Sequence, residues 1–407
     1  MKNDVSLSKN GHKSIQAVHV GMSGFPFGSA GINKCLAVYQ SLRQLNIHFI
    51  IINNRAVHKA GIPEQLERRG TINDLRYVYT TPSPYRQTSF IRRQLSSVQG
   101  RINEFILLFQ LSVNNKIDVM FYYPTDGSFF ELIYYRLFSK IFQYPLIAHY
   151  VEYRSAFKSQ ARPFEKLKHR LFDKYFMRFT DAVLPISEYL INHLKSRGFK
   201  KPYLKIPPLT DFRQFALSSG DINEKYFLYV GSAAYTEAID FILRSFSNSS
   251  SDRHYLYLVV NGQSHKMKEV SDMVAKATKS PFIRIFTGLK YEELLRLYMN
   301  ASALLIPLTD TIQDKARFPQ KISEYLASGN PVITTNYGEV PFYFDDKVNA
   351  LVASAYDVTE YAAKMNYVIE NPEESKRIGE RGKATGLKFF DFNSYGAEIK
   401  KMIMSLQ

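Results

Sequence analysis

The chain has 407 residues, 45% hydrophobic and 22% charged, an ordinary soluble globular composition and a length that suits two domains, each with its own core. A single cysteine, Cys35, excludes an internal disulfide framework and fits a reducing compartment. The net charge of +16 favours an anionic partner, and no run approaches the roughly 20 apolar residues that a spanning helix needs.

Residues 1–14 are polar, so no signal peptide is expected. A strand over 14–20 leads into a glycine-rich loop, 21–31. A helix over 32–45 follows, its period set by Leu36, Tyr39, Leu42 and Arg43. Cys35 falls inside it as packing. Buried strands are predicted at 49–53, 118–122, 146–149 and 182–186. The apolar run 105–111 is far too short to cross a bilayer. Pro207-Pro208 and the polar stretch after them place a linker over 205–221. A second series begins beyond it. Strands are predicted at 226–230, 255–260, 283–287, 303–307 and 332–335, with helices at 238–246, 291–299 and 319–328. A helical tail covers 389–406, and no solenoid repeat is present.

This alternation predicts an α/β chain of two Rossmann-like domains facing a central cleft, with ligands beyond the carboxyl ends of the strands. The expected division is an N-terminal domain over 1–212, a C-terminal domain over 213–385 and a helical tail over 386–407 able to pack back on the first domain.

The charge is uneven. Residues 153–205 hold thirteen Lys and Arg against four Asp and Glu. Within them, 163–179 reads as an amphipathic helix. Phe164, Leu167, Leu171, Tyr175 and Phe179 recur at helical spacing among Lys166, Lys168, Arg170, Lys174 and Arg178. It is either a surface helix with a solvated basic face or a docking element for an anionic membrane surface. No nucleic-acid motif accompanies the basicity, so nucleic acid is not expected as a partner.

The most informative segment is 317–331, Arg-Phe-Pro-Gln-Lys-Ile-Ser-Glu-Tyr-Leu-Ala-Ser-Gly-Asn-Pro. Pro319 stands where a helix starts, and Gly329 and Pro331 end it. Lys321 and Glu324 share its first turns at i, i+3 spacing. Helix amides and a cation suit diphosphate oxygens, and a carboxylate suits ribose hydroxyls. Glu324 can otherwise be a solvated helix carboxylate, Lys321 its surface partner, and Arg317 an exposed loop arginine.

Together with Gly338-Glu339-Val340-Pro341, Asn349-Ala350-Leu351-Val352, Pro207-Pro208-Leu209-Thr210-Asp211, Asp181-Ala182-Val183-Leu184-Pro185-Ile186-Ser187 and the 25–33 loop, this segment resembles the large retaining glycosyltransferase family 4 of bacterial surface-polysaccharide type. That resemblance implies the GT-B fold and transfer of a hexose-type sugar from a nucleoside diphosphate donor to a glycan, lipid-linked acceptor, with retention. It implies donor contacts from Gly231, Ser232, Gly288, Leu289, Glu324 and Glu339, and a diphosphate and acceptor loop carrying Gly28, Ser29 and Asn33. It implies no cofactor and no metal, and the basic 163–179 helix with the lack of a signal or spanning segment fits a cytoplasmic enzyme resting peripherally on the inner membrane face. Two departures stand out. Ala316 occupies the position of a first glutamate, eight before Glu324, and the loop 231–237 carries no cation. Arg317 and Lys321 are therefore expected to meet the phosphate charge.

His149 and Glu152, after an apolar strand, are candidates for orienting the acceptor; a core histidine and an ion pair with Arg154 are the bland alternatives. Asp126 reads equally as a turn residue, and the glycines of 21–31 as turn formers. A catalytically weakened nucleotide-sugar-binding scaffold or a nucleotide-sugar epimerase of the same fold remain the alternative functions.

Overall fold

The computed structural model describes residues 14–28, 30–59, 65–125, 129–156, 163–216, 222–251 and 253–407. Ser29 and Asp126 lie outside them. The chain divides into two compact units, Met1–Ile206 with Tyr395–Gln407, and Pro207–Ser394. The division falls at Ile206/Pro207, ahead of the expected 212/213. Only the last helix, Gly396–Leu406, rejoins the first unit, whereas Pro372–Phe389 stays in the second.

The first unit holds seven strands: β1 (Ile15–Val20), β2 (Ile47–Asn53), β3 (Arg69–Ile72), β4 (Leu75–Tyr79), β5 (Val119–Tyr122), β6 (Leu146–Tyr150) and β7 (Ala182–Pro185). Their order is β3-β4-β2-β1-β5-β6-β7, parallel except for the β3–β4 pair. Strands covered on both faces carry apolar runs, as in Phe-Ile-Ile-Ile of β2. The β3–β4 hairpin is absent from the sequence-based elements. Its two-residue turn uses Asn73 and Asp74, both at positive φ (47° and 62°), without the glycine that usually marks such a turn.

The second unit holds β8 (Tyr226–Ser232), β9 (Tyr255–Asn261), β10 (Ile283–Phe286), β11 (Ala303–Ile306), β12 (Val332–Thr335) and β13 (Leu351–Ala353). All are parallel, in the order β10-β9-β8-β11-β12-β13. Phe227, Leu258, Leu305, Ile333 and Leu351 form its core with Ile242, Phe246 and Tyr361 from the covering helices. Each sheet reverses its winding once, between β1 and β5 and between β8 and β11. Crevices at such points, beyond the strand carboxyl ends, are where α/β sheets take ligands. The α/β class with two Rossmann-like, parallel-sheet domains is thus the one expected.

Two helices of the first unit depart from a simple amphipathic rule. Phe90–Val113 turns Gly100, Glu104, Leu108 and Ser112 inward and leaves Ile91, Leu95, Ile102 and Phe109 exposed. Glu104 accepts from Asn54 Nδ2 at 2.9 Å and Tyr135 OH at 2.7 Å, and pairs with Arg101. Gly100 lies where a Cβ would approach Asn54 O to 2.5 Å, so only glycine lets the helix in. In Pro163–Tyr175, continued by a 3-10 turn Phe176–Phe179, the buried residues are Phe172, Asp173, Phe176 and Met177. Phe164, Leu167 and Leu171, expected to form a stripe, remain exposed. Among the described residues no helix is long and apolar enough to cross a membrane.

Lys34, on the helix Ala30–Gln44, is buried and donates to Ile206 O at 2.8 Å. Burial holds its ammonium down to about 7, against 10.5 for an ordinary lysine. Between these values the unfolded chain binds the extra proton, so stability rises with pH. Raising the pH from 7 to 8.5 is expected to stabilise the first unit by about 1–2 kcal/mol. Urea unfolding followed by circular dichroism reads this, since the chain has no tryptophan. The rise disappears in Lys34→Met; an equal rise in that variant would refute the assignment.

Candidate functional site

The C-terminal edge of the second sheet gathers most of the residues singled out. The helix Lys321–Ser328 begins two residues after Pro319 and closes on Gly329, left-handed at φ 82°. Ile322 and Ser323 donate their amides to Pro319 O and Gln320 O. The amides of Gln320 and Lys321 make no hydrogen bond among the described residues. Every residue from Ile322 to Ser328 is buried.

Burial reaches the charged groups. Glu324 is 9% exposed and accepts from Tyr298 OH at 3.0 Å. Burial pushes its carboxyl above the usual range, opposed by Tyr298 and by the nearby Lys321. Lys321 is half-buried and makes no hydrogen bond or ion pair among the described residues. Burial lowers its affinity for the proton, Glu324 raises it, and Arg317 lowers it further. A desolvated cation and a desolvated carboxylate therefore share one helical turn with little protein compensation.

Arg317 is engaged rather than free. Its Nε and Nη2 donate to Asp314 Oδ1 at 3.2 and 2.8 Å, and Nη1 donates to Tyr235 OH at 2.8 Å. The guanidinium also lies 5.0 Å from the Tyr235 ring centre. Two of its five N–H groups are left over. Tyr235 ends the loop after β8, so this contact carries a cation to the loop that lacks its own. Asp314 is committed too, accepting from Thr309 N and Oγ1 at 2.9 and 2.7 Å. Ala316 is buried at 1% exposure.

Gly231 and Ser232 close β8, and a Cβ on Gly231 would meet Tyr229 OH at 2.4 Å. Asn261, at the end of β9, receives Ala233 N on its carbonyl and Thr287 Oγ1 and Gly288 N on its side chain, both at 2.9 Å. It thereby ties the Gly231 loop to the Gly288-Leu289 turn. Gly288, at φ 66°, is exposed, and Leu289 is half-buried. Glu339 is buried at 1% and opens the turn Val340–Phe342. Before it, Gly338 (φ 62°) sits where a Cβ would press on Asp314 O at 2.6 Å, which seats this loop against the Arg317 segment.

In the first unit, Gly28 and Asn33 are exposed at the end of the β1 loop and the start of the following helix. Asn53 holds that loop by accepting from Gly24 N and Phe25 N at 2.8 and 3.0 Å. His149 is fully buried; its Nε2 faces Tyr39 OH at 3.2 Å, and Tyr39 OH faces His19 Nδ1 at 2.6 Å. Burial drives the His149 imidazole well below its ordinary value, and the enclosed side chain is out of reach of a ligand at the surface. Glu152 is half-buried and stands 3.8 Å from Arg154, whose guanidinium bonds the Pro124 and Thr125 carbonyls.

Tyr298, Tyr235, Asp314 and Asn261 were not among the expected site residues. Tyr298, Tyr235 and Asn261 depend on partners 26 to 82 residues away, whereas Asp314 pairs with Arg317 at i, i+3, a local spacing that could have flagged it.

Residues 214–385 match the family model described as glycosyl transferases group 1. Among curated proteins, an uncharacterised glycosyltransferase of Methanocaldococcus jannaschii is 24% identical over 223 residues, 55% of this chain and 59% of that protein. The MMP alpha-(1->4)-mannosyltransferase of Mycolicibacterium hassiacum is 27% identical over 128 residues, 31% of this chain and 30% of that protein. The chain thus spans less than two thirds of either curated relative. Among solved structures, Anabaena HepE in complex with UDP and glucose superposes with a TM-score of 0.71 at 14% identity, over 96% of this chain and 100% of that one. Sucrose-phosphate synthase of Thermosynechococcus elongatus gives 0.74 at 12% identity, over 97% and 99%. The second unit, which bears Lys321 and Glu324, is thus similar over residues 214–385 to group 1 glycosyl transferases, and the chain that carries it has the GT-B fold.

Proposed function

We propose that the protein is a glycosyltransferase that moves a hexose-type sugar from a nucleoside diphosphate donor to a hydroxyl of a lipid-linked glycan, with retention of configuration. One observation carries this reading: a half-buried Lys321 ammonium, without a hydrogen bond or ion pair among the described residues, lies one helical turn from a buried Glu324 carboxylate that there accepts a hydrogen bond from Tyr298 alone. Such a pair, left undercompensated inside a fold, awaits an anion and a hydroxyl-bearing group.

In this reading Glu324 accepts from the donor ribose, while Lys321, the free amides of Gln320 and Lys321 and the residual N–H groups of Arg317 meet the diphosphate. The Gly231-Ser232 loop lies against the phosphates and the Gly288-Leu289 turn against the base. Glu339 shapes the sugar pocket from behind Gly338. The bond from the anomeric carbon to the diphosphate oxygen breaks, and its electron pair leaves on the diphosphate. The acceptor hydroxyl oxygen bonds the same carbon and passes its proton to a diphosphate oxygen, so no protein base is required. Protein cations and the helix start supply the charge stabilisation, with neither metal nor cofactor. Gly28, Ser29, Asn33 and Glu152 serve the acceptor side, and His149, packed against Tyr39, Phe121 and Tyr123, acts through the core rather than on the acceptor. Work on a lipid-linked acceptor places the enzyme on the cytoplasmic face of a membrane, in surface-polysaccharide assembly. HepE's complex with UDP and glucose makes a UDP-sugar the first donor to test.

Loss of a charged hydrogen bond is worth about 1.5–3 kcal/mol, so Lys321→Ala is expected to weaken donor binding by roughly 10- to 100-fold in calorimetry. Unchanged binding would overturn the phosphate role. Glu324→Gln, which keeps shape and removes charge, is expected to lower kcat/KM about 10-fold or more. Because burial lowers the Lys321 proton affinity, donor binding should decline with rising pH earlier than for an ordinary lysine. Lys321→Arg should remove that alkaline decline. Donor binding without transfer to any lipid extract would favour a scaffold, and conversion of the donor without acceptor would favour an epimerase.

A further inference from the structure

A cavity of about 600 Å³ opens on the first unit where the chain enters β7 and where it leaves the helix after it. Lys174, Arg178, Arg197, Lys200 and Lys201 line it with Tyr175, and no carboxylate among the described residues does. Asp181, near Lys201, is already held by Arg136 through two hydrogen bonds of 2.5 and 2.9 Å. Several of the cations are oriented in advance. Lys201 Nζ donates to the carbonyls of Thr180 and Arg178. Lys174 and Arg178 lie 5.1 and 5.4 Å from the Tyr175 ring centre.

The cavity continues an apolar face. Positions 164, 167, 171 and 174 follow one another at three and four residues, the spacing of a single helix face, and Arg178 follows in the 3-10 turn Phe176–Phe179. Phe164, Leu167 and Leu171 are 67%, 52% and 36% exposed, and Lys174 lines the cavity together with Arg178. The adjoining helix Phe129–Ile141 packs Phe129 on Tyr175 and Phe179 and exposes Phe130 and Ile141 at 71% and 69%. An uncompensated apolar face running into clustered cations matches a surface that is apolar inside and phosphate-bearing at its rim. A second copy of the chain fits less well, because an isologous contact brings the same cationic patch of both copies together.

We propose that this cavity receives the phosphate of an anionic phospholipid headgroup while Phe164, Leu167 and Leu171 enter the lipid interface. The proposal rests on the membrane placement in the function above and adds to it a specific headgroup site. The test is binding to vesicles of phosphatidylcholine alone and of phosphatidylcholine with phosphatidylglycerol, measured without donor or acceptor. The altered chain is Lys174→Ala/Arg178→Ala/Lys200→Ala. Its control is Arg68→Ala/Arg69→Ala/Arg76→Ala, with the same loss of charge at the opposite edge of the sheet, on and beside β3 and β4.

At about 1 kcal/mol per surface cation, the cavity variant should bind the anionic vesicles about 100-fold more weakly. The control should lose much less, and UDP-sugar binding by the cavity variant should be unchanged. Equal losses in the two variants would overturn the site in favour of diffuse attraction. Unaltered vesicle binding in the cavity variant would overturn it as well, whether inorganic phosphate binds the cavity in solution or light scattering reveals a dimer. Failure of the glycosyltransferase reading shows separately, as absent donor binding in the unaltered chain.

Discussion

In the second unit the helix Lys321–Ser328 is buried without interruption from Ile322 to Ser328, and its first turn carries a cation and a carboxylate. Placing both groups away from water costs several kcal/mol unless each is well paired. The protein supplies only part of that compensation. Tyr298 donates to Glu324, whereas Lys321 receives no direct partner among the described residues. The remainder of the unit works around this arrangement. Gly329 turns the chain at the helix end with a left-handed residue, and Asn330 Nδ2 donates to the Tyr298 and Met299 carbonyls. The same segment thus holds in place the helix that supplies the Glu324 partner.

A second clamp organises the loops around that helix. Arg317 joins the Asp314 turn to Tyr235, and Gly338 lets the loop after β12 close on Asp314. Asn261 links the turns after β8 and β10. Four loops from separate strands are thereby fixed by side chains that need not touch a ligand themselves. Rigid loops at a winding reversal give a ligand site its geometry before anything binds, and this lowers the entropy lost on binding.

Much of the strand pattern was legible in the sequence. Apolar runs such as those of β2 and β9 report burial on both sheet faces, and burial of that kind is a local property of the residues. The Asn73-Asp74 hairpin was not legible, because asparagine and aspartate take positive φ less readily than glycine and flag the turn only weakly. The inward polar face of Phe90–Val113 was also hidden. Its partners, Asn54 and Tyr135, lie 50 and 31 residues from Glu104, and hydrophobic periodicity alone points the helix the other way. The stripe Phe164, Leu167 and Leu171 was read correctly as one face, but its exposure depended on Phe172 and Phe176 taking the buried side.

For the site, the sequence by itself determined the helix with its proline start and glycine stop, and the i, i+3 spacing of Lys321 and Glu324. Those features need only backbone preferences and helical periodicity. Tertiary structure alone decided their electrostatics. Glu324 is shifted because burial removes water and Tyr298 arrives from 26 residues away. Arg317, which looked like a free loop cation, has a local i, i+3 partner in Asp314, but its second partner, Tyr235, arrives from 82 residues away. His149, which looked like a residue at a strand mouth, is enclosed by rings contributed from other strands and a helix. Solvent access and long-range partners are properties of the assembled fold, and no local spacing encodes them.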